Sequence, residues 1–158
     1  MARASIEDPL KVFRFRIFVD KFVRAGATRV TGLNLTTEVI GYREGGDNDI
    51  KKKSAGLTES DDIVFSRGQI VGSVEGGDTD YEDWSKEVFD VAAGGNAANY
   101  RKDFDLKMYN AQNVAARTFR VYNAFPKGYK PMSDLDAEKS ENSFETLTLA
   151  NEGWERVA

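Results

Sequence analysis

The stretch "RVTGLNLTTEVIGYREGG", residues 29–46, alternates along its length. Leu33, Leu35, Thr37 and Val39 fall on one side of an extended chain, and Asn34, Thr36, Glu38 and Ile40 fall on the other. That is the two-residue period of a strand with unlike faces. The run is long against a typical strand of about 5–6 residues. It leads into "EGGDNDIKKKSAGLT", residues 44–58, where a glycine pair gives way to charges that a core would not accept without partners. The reading is therefore a long strand followed by a polar, lysine-rich loop over residues 45–57.

The same period recurs on both sides of this stretch. In "KVFRFRIFVD", residues 11–20, Phe13, Phe15, Ile17 and Val19 oppose Arg14, Arg16 and Phe18, after an Asp8-Pro9 turn. "DIVFSRG", residues 62–68, reads as a further strand. "YRKDFDLKMYN", residues 100–110, and "ARTFRVYNAFP", residues 116–126, read as a hairpin joined by a short link. A polar loop, "KGYKPMSDLDAEKSEN", precedes a closing strand, "SFETLTLANEGWERV", residues 143–157. One helix interrupts the pattern. Thr79 and Glu82 have capping-box spacing, Tyr81, Trp84, Val88 and Val91 form a stripe at helical spacing, and Gly94-Gly95 ends it. The stripe reads as the underside of a lid on a sheet.

Composition agrees. Leu, Ile, Val and Phe make up 37 of 158 residues, just above the roughly 20% below which chains tend to be disordered. Val, Ile and aromatic residues far outnumber Leu, which favours strands. The expectation is one mainly β domain over residues 1–158, sandwich- or barrel-like, with about six strands and one flanking helix. Its core is thin, so part of its apolar surface is expected to be covered by other chains. Long strands with open edges point the same way, since edges pair with neighbours unless closed or blocked.

The chain contains no His and no Cys. A Ser-His-Asp triad, a Cys-His pair, a disulfide and the usual zinc sites are thereby excluded, and no enzyme, cofactor or metal is expected. Asp47 and Asp49 have the first spacing of a calcium loop, but Lys51, Lys52 and Thr58 occupy later positions where such a loop needs a ligand, Gly and Glu. The acids of "GGDTDYED", residues 76–83, suit the electropositive start of a helix. The net charge of −4 argues against a dedicated, sequence-specific nucleic-acid binder. No apolar run approaches the roughly 20 residues of a membrane span, and "MARASIEDPL" lacks the apolar stretch of a signal peptide. A soluble protein assembled in the cytoplasm is expected.

Taken in order, "DPLKVFRFRIFVD", "VTGLNLTTEVIGYREGGDN", "GLTESDDIVFSRG", a Trp-bearing helix, "RTFRVYNAFPKGY" and "ETLTLANEGWERV" resemble the inner-tube proteins of contractile phage tails and extracellular contractile injection systems, which are related to the tube proteins of type VI secretion. "EVIGYREGG" and "ETLTLANEG" are the most specific of these, and the resemblance spans nearly the whole chain. It implies six subunits in a ring, rings stacked into a hollow tube, and merged strands lining the bore. It also implies partners: further copies of the chain, a sheath, a baseplate, a tape-measure protein, and DNA or effector cargo in the lumen. The particle would be a phage tail or a bacterial injection machine. The inter-ring contact then falls to the excursion, with Gly45, Asp47, Asp49, Lys51, Lys52, Lys53 and Leu57. Polar alternates that suit a lumen are Asn34, Thr36, Glu38, Ser66, Thr118 and Arg120. The competing expectations are a monomeric barrel that binds a small ligand or glycan, although Trp84 in the helix stripe and Trp154 near the terminus mark no pocket for it, and a baseplate protein that initiates the tube.

Overall fold

The computed structural model describes residues 9–19, 22–25, 27–46, 49–69, 79–92 and 100–158. Asp8, Asp47, Gly76, Gly94 and Gly95, and the side chain of Val91, lie outside the described residues. In chain order the elements are β1 (Phe15–Val19), β2 (Phe22–Ala25), β3 (Arg29–Thr31), β4 (Leu35–Tyr42), β5 (Lys52–Ser60), β6 (Ile63–Gly68), α1 (Asp80–Ala92), β7 (Lys102–Tyr109), β8 (Ala115–Lys130), β9 (Phe144–Ala150) and β10 (Trp154–Arg156). The mainly β architecture with a single helix among the described residues matches the sequence reading.

Among the described residues ten strands stand where six were expected, because two of the long alternating runs break in two and β2 and β5 form where no strand was read. Residues 29–46 divide at Gly32, whose φ of +96° favours glycine. A Cβ there would stand 2.0 Å from the Asp62 carbonyl oxygen, so the close approach also demands glycine. The chain bends through residues 32–34, closed by the Asn34 amide donating to the Gly32 carbonyl at 2.8 Å. Residues 143–157 divide likewise, with Gly153 at φ +130° between β9 and β10. The first predicted strand shortens to β1, because residues 11–14 make a turn in which the Arg14 amide donates to the Lys11 carbonyl.

Strand β8 runs the other way and exceeds expectation. It continues past Pro126 to Lys130, 16 residues in all. Proline lacks a ladder N–H, and it is tolerated here because the register with β9 shifts between Pro126 and Gly128. The first half of β8 pairs with β7 and the second half with β9, so this strand carries the chain from one part of the sheet to the other. The main sheet follows the order β2-β1-β7-β8-β9-β6-β3, with β10 added along β8. Strands β4 and β5 form a separate two-stranded sheet.

The core lies between the main sheet and α1. Ile17, Val19, Ile63, Phe65, Phe104, Val121, Leu147 and Leu149 come from the strands, while Tyr81 and Trp84 come from the helix. The ring of Phe65 meets Phe104 edge-on at 5.1 Å between centroids. Of the predicted stripe, Tyr81 and Trp84 are thus buried and Val88 is half-buried. The first turn of α1 differs in detail from a capping box: the Thr79 hydroxyl donates to the Asp83 carboxylate at 3.2 Å, and the Glu82 carboxylate takes Lys86 at 2.7 Å. The Trp84 indole donates to the Tyr100 carbonyl at 2.9 Å, so its polar edge is satisfied inside the core.

A projecting arm as the candidate assembly surface

Strands β4 and β5 are an arm. All eight residues of β4 are exposed, and seven of the nine in β5. Leu35, Thr37, Val39 and Gly41 share one face with Ser60, Thr58, Ala55 and Lys53, while Thr36, Ile40 and Tyr42 share the other with Glu59, Ser54 and Lys52. The Thr37 and Thr58 hydroxyls meet at 2.9 Å across the first face. Between Thr37 and Val39 the register slips, so that Gly56 and Leu57 together face Glu38. This is a β-bulge, which twists a strand pair. Gly56 fits there with little to spare, since a Cβ would lie 3.2 Å from the Glu38 carbonyl oxygen.

The second part of the lysine-rich loop expected over residues 45–57, from Lys52 onward, is therefore strand. Lys52 and Lys53 lie in β5 opposite Tyr42 and Gly41, and Leu57 sits at the bulge. "KKSAGLTES" has no apolar alternation and carries a glycine, so nothing in it announces a strand. Pairing with β4 makes it one. Residues 43–46 and 49–51 lie outside both strands, with Gly45 and Gly46 in a turn, Gly46 at φ +95°. Asp49 is exposed, and the Lys51 stem lies over Gly41. Tyr42 donates to the Glu44 carboxylate at 2.5 Å, a bond that raises the phenol above its ordinary value.

The arm is apolar as well as charged. Leu35, Val39, Ile40 and Tyr42 are more than half exposed or nearly so, and Ile50 and Leu57 reach 81% and 74%. At its root the arm is tied to the main sheet. The Asn34 carbonyl accepts from the Asp61 amide at 3.2 Å, and its side chain donates to the Asp61 carboxylate at 3.2 Å. Asn151, just after β9, accepts from the Ser60 hydroxyl at 2.6 Å and donates to the Asp61 carbonyl at 3.0 Å. Trp154 packs edge-on against Phe119 at 5.7 Å, with its indole N–H directed at the Asn34 carbonyl at 3.5 Å. Asn34 and Trp154 stand out in the sequence for other roles, but the clamp itself does not, because its members come from four separated segments.

Beneath α1 lies a buried ionic network. Arg67 of β6 and Glu145 of β9 are register partners and form an ion pair. Glu145 also accepts from the Tyr129 hydroxyl at 2.9 Å, and the Arg67 guanidinium lies 4.0 Å from the Tyr81 ring centroid. Burial, then the bond to Glu145, pushes Tyr129 up to about 12. Burial lifts Tyr81 further still. Nearby, Lys102 of β7 pairs with Glu87 of α1 at 2.8 Å and sits over the Trp84 ring. Arg67 over Tyr81 and the Lys102–Glu87 pair fasten the helix to the sheet. Among the described residues no buried side-chain nitrogen or oxygen lacks a partner, and no group of three or more acids could hold a metal.

The six residues expected to suit a lumen do not share one surface. Thr36 and Glu38 are on the arm and Asn34 is in its clamp. Ser66 is half-buried on β6, where its carbonyl accepts from the Thr28 amide. Thr118 and Arg120 are on β8, but Thr118 is only 7% exposed and so offers little surface of any kind. Arg120 grips Asp105 through two bonds of 2.8 and 3.1 Å, which hold the carboxyl of Asp105 below its ordinary range and raise the guanidinium. Trp84 is buried and Trp154 is packed in the clamp, so neither marks a ligand pocket.

The described residues thus form a β domain with a helical lid and an arm exposed on both faces. Comparison with known proteins gives that build a lineage. The model of the T4-like virus tail tube protein gp19 family matches residues 11–155, and the chain belongs to this family. The same fold occurs in a chain of the anti-feeding prophage tube-terminating cap, at 20% identity and a TM-score of 0.77, covering 98% of this chain and 95% of that one. It occurs in a chain of the sheath-tube complex of the PVC extracellular contractile injection system in its extended state, at 24% identity and a TM-score of 0.72, covering 97% and 94%. A type six secretion system protein is a more distant likeness, at 13% identity and a TM-score of 0.51, covering 92% and 83%. No curated protein sequence matches the chain.

Proposed function

We propose that this tail tube protein forms a hollow inner tube from stacked six-membered rings, serving as the conduit of a contractile tail or injection particle. The observation that carries the reading is the arm. A two-stranded hairpin alone is marginal in water, and this one exposes Leu35, Val39, Ile40, Tyr42, Ile50 and Leu57 across both faces. Covering them with another copy removes that apolar surface from water, at a gain of roughly 25 cal/mol per Å² buried. The arm then contacts the adjacent ring through Gly45, Asp49, Lys51, Lys52, Lys53 and Leu57, where mixed charge sets register more than affinity.

The role is structural rather than catalytic. A sheath surrounds the tube and drives it on contraction, a baseplate starts it, a tape-measure protein sets its length, and DNA or effector cargo passes through the bore. No helix among the described residues is long and apolar enough to cross a membrane. The test is direct. Purified protein at high concentration, with and without baseplate components, should give rings or filaments by negative stain and light scattering. A persistent 17.6 kDa monomer would instead favour a self-contained barrel.

A further inference from the structure

We infer that two unlike ends of the subunit bind each other between copies: a cationic end built by β1, β7 and residues 9–14, and an acidic end built by residues 131–142. The pairing rests on the tube reading and specifies one of its contacts. The two ends stand at opposite termini of β8. The turn before Ala115 belongs to the cationic end and the residues after Lys130 to the acidic end. At about 3.3 Å per residue, 16 residues of strand give a contour of roughly 50 Å between them.

The cationic end is preformed. Arg14 donates to the Asn110 and Ala111 carbonyls at 3.0 Å each, which joins residues 9–14 to the β7–β8 turn. Arg16 lies over the Tyr109 ring at 4.9 Å, and Lys107, its register partner, lies over Phe18 at 4.8 Å. Neither Arg16 nor Lys107 has a carboxylate within ion-pair distance among the described residues. Asp105, on the same strand face as Lys107, is engaged by Arg120, and its carboxyl is held low by that bond first and in part by the Lys107 charge. Beside them Val12, Phe13 and Val114 are exposed, Phe13 at 69%.

The acidic end mirrors this arrangement. Asp134, Asp136, Glu138 and Glu141 outnumber the one cation of the segment, Lys139. The loop is braced by its own chain: the Asp136 carboxylate accepts from the Glu138 amide at 3.0 Å, and the Ser133 and Ser143 hydroxyls meet at 3.4 Å. Asp134 touches Lys130 at 3.3 Å while fully exposed, a contact too solvated to hold it. Met132 and Leu135 are exposed between the acids, Leu135 at 78%. Each end therefore offers apolar residues among charges predominantly of one sign, and the predominant signs are opposite. The occupant that fits the cationic end is a second copy of this chain. Because the two surfaces differ, the contact is heterologous and propagates from copy to copy, as rings and filaments require.

Charge reversal tests the pairing in full-length protein. R16E/K107E makes both ends acidic, and D134K/E138K makes both basic. Each variant alone should lose about tenfold or more of its assembled fraction in sedimentation and negative stain, as opposed charges become like charges. An equimolar mixture should recover assembly, because each variant then supplies the end that the other lacks. Circular dichroism and melting curves establish that the variants fold, and R16Q/K107Q replaces the first pair if it does not. The pairing is overturned if either variant assembles alone as well as wild type, or if the mixture stays dispersed. It is overturned too if R16E/K107E assembles normally but loses retention of a short DNA duplex, which would make the cationic end a nucleic-acid surface. A wild-type protein that never assembles would sink the tube reading first, and the pairing with it.

Discussion

Strands β4 and β6 are both antiparallel, both alternate, and lie within one continuous stretch of chain, yet they meet opposite environments. In β6, "IVFSRG", every second residue is buried, with Ile63 and Phe65 under the helix and Arg67 in its ion pair with Glu145. In β4, "LTTEVIGY", every residue is exposed. The difference does not lie in the strands. It lies in what stands over them, since α1 and other strands of the main sheet pack over one side of β6, whereas among the described residues only β5 pairs with β4. Alternation announces that a strand has two unlike faces. Whether one of them is covered, and by which chain, is settled elsewhere.

If the core is self-sufficient and the arm is completed by neighbours, substitutions should divide accordingly. Trp84→Ala should cost about 3–5 kcal/mol, the range for truncating a large buried aromatic, and urea unfolding followed by circular dichroism would read it. A value near zero would mean that the helix is not part of the core. Glu145→Ala should cost about 3 kcal/mol, because the Arg67 guanidinium and Tyr129 hydroxyl lose a buried acceptor. Glu145→Gln, which retains one acceptor, should cost less in the same assay.

The junction between the two regions should respond at an intermediate level. Gly32→Ala forces a side chain into a left-handed conformation and against the Asp62 carbonyl, at a cost of about 1–3 kcal/mol. A shift in melting temperature for Gly32→Ala, with none for Gly45→Ala in the open turn, would locate the strain at the arm's root.

Alkaline pH probes the core again, more gently. Tyr129 is pushed up to about 12 and Tyr81 above it, each from 10.0. A raised tyrosine keeps its proton in the folded state after the unfolded chain has lost it. Its contribution is present in full below pH 10 and is lost as pH rises toward 12. Melting temperatures should therefore fall over that window, and the fall should shrink in Tyr129→Phe. An unchanged melting temperature between the two limits would show that the hydroxyls are not held protonated by the fold.

The smallest effect on stability belongs to the arm. Replacing Lys51, Lys52 and Lys53 together with Glu should move subunit stability by no more than about 0.5 kcal/mol, as for exposed substitutions generally. The same change should impair assembly most at low salt, where surface charge is least screened. Unfolding of the triple variant would put the arm inside the cooperative unit and dissolve the contrast with β6.

Much was legible in the residues themselves. The alternating strands, the Tyr81–Trp84–Val88 stripe and the thin complement of apolar residues define a mainly β domain with one lid and surface to spare, because periodicity and composition are local properties. Three features depended on tertiary structure. Strand β5 exists because β4 pairs with it, and "KKSAGLTES" has little strand preference of its own. The break at Gly32 exists because the Asp62 carbonyl approaches from a distant segment. The clamp of Asn34, Asp61, Asn151 and Trp154 assembles from residues as much as 120 positions apart. Pairing, close approach and clamping are relations between distant segments, and a pattern read along one segment carries no record of what the fold brings beside it.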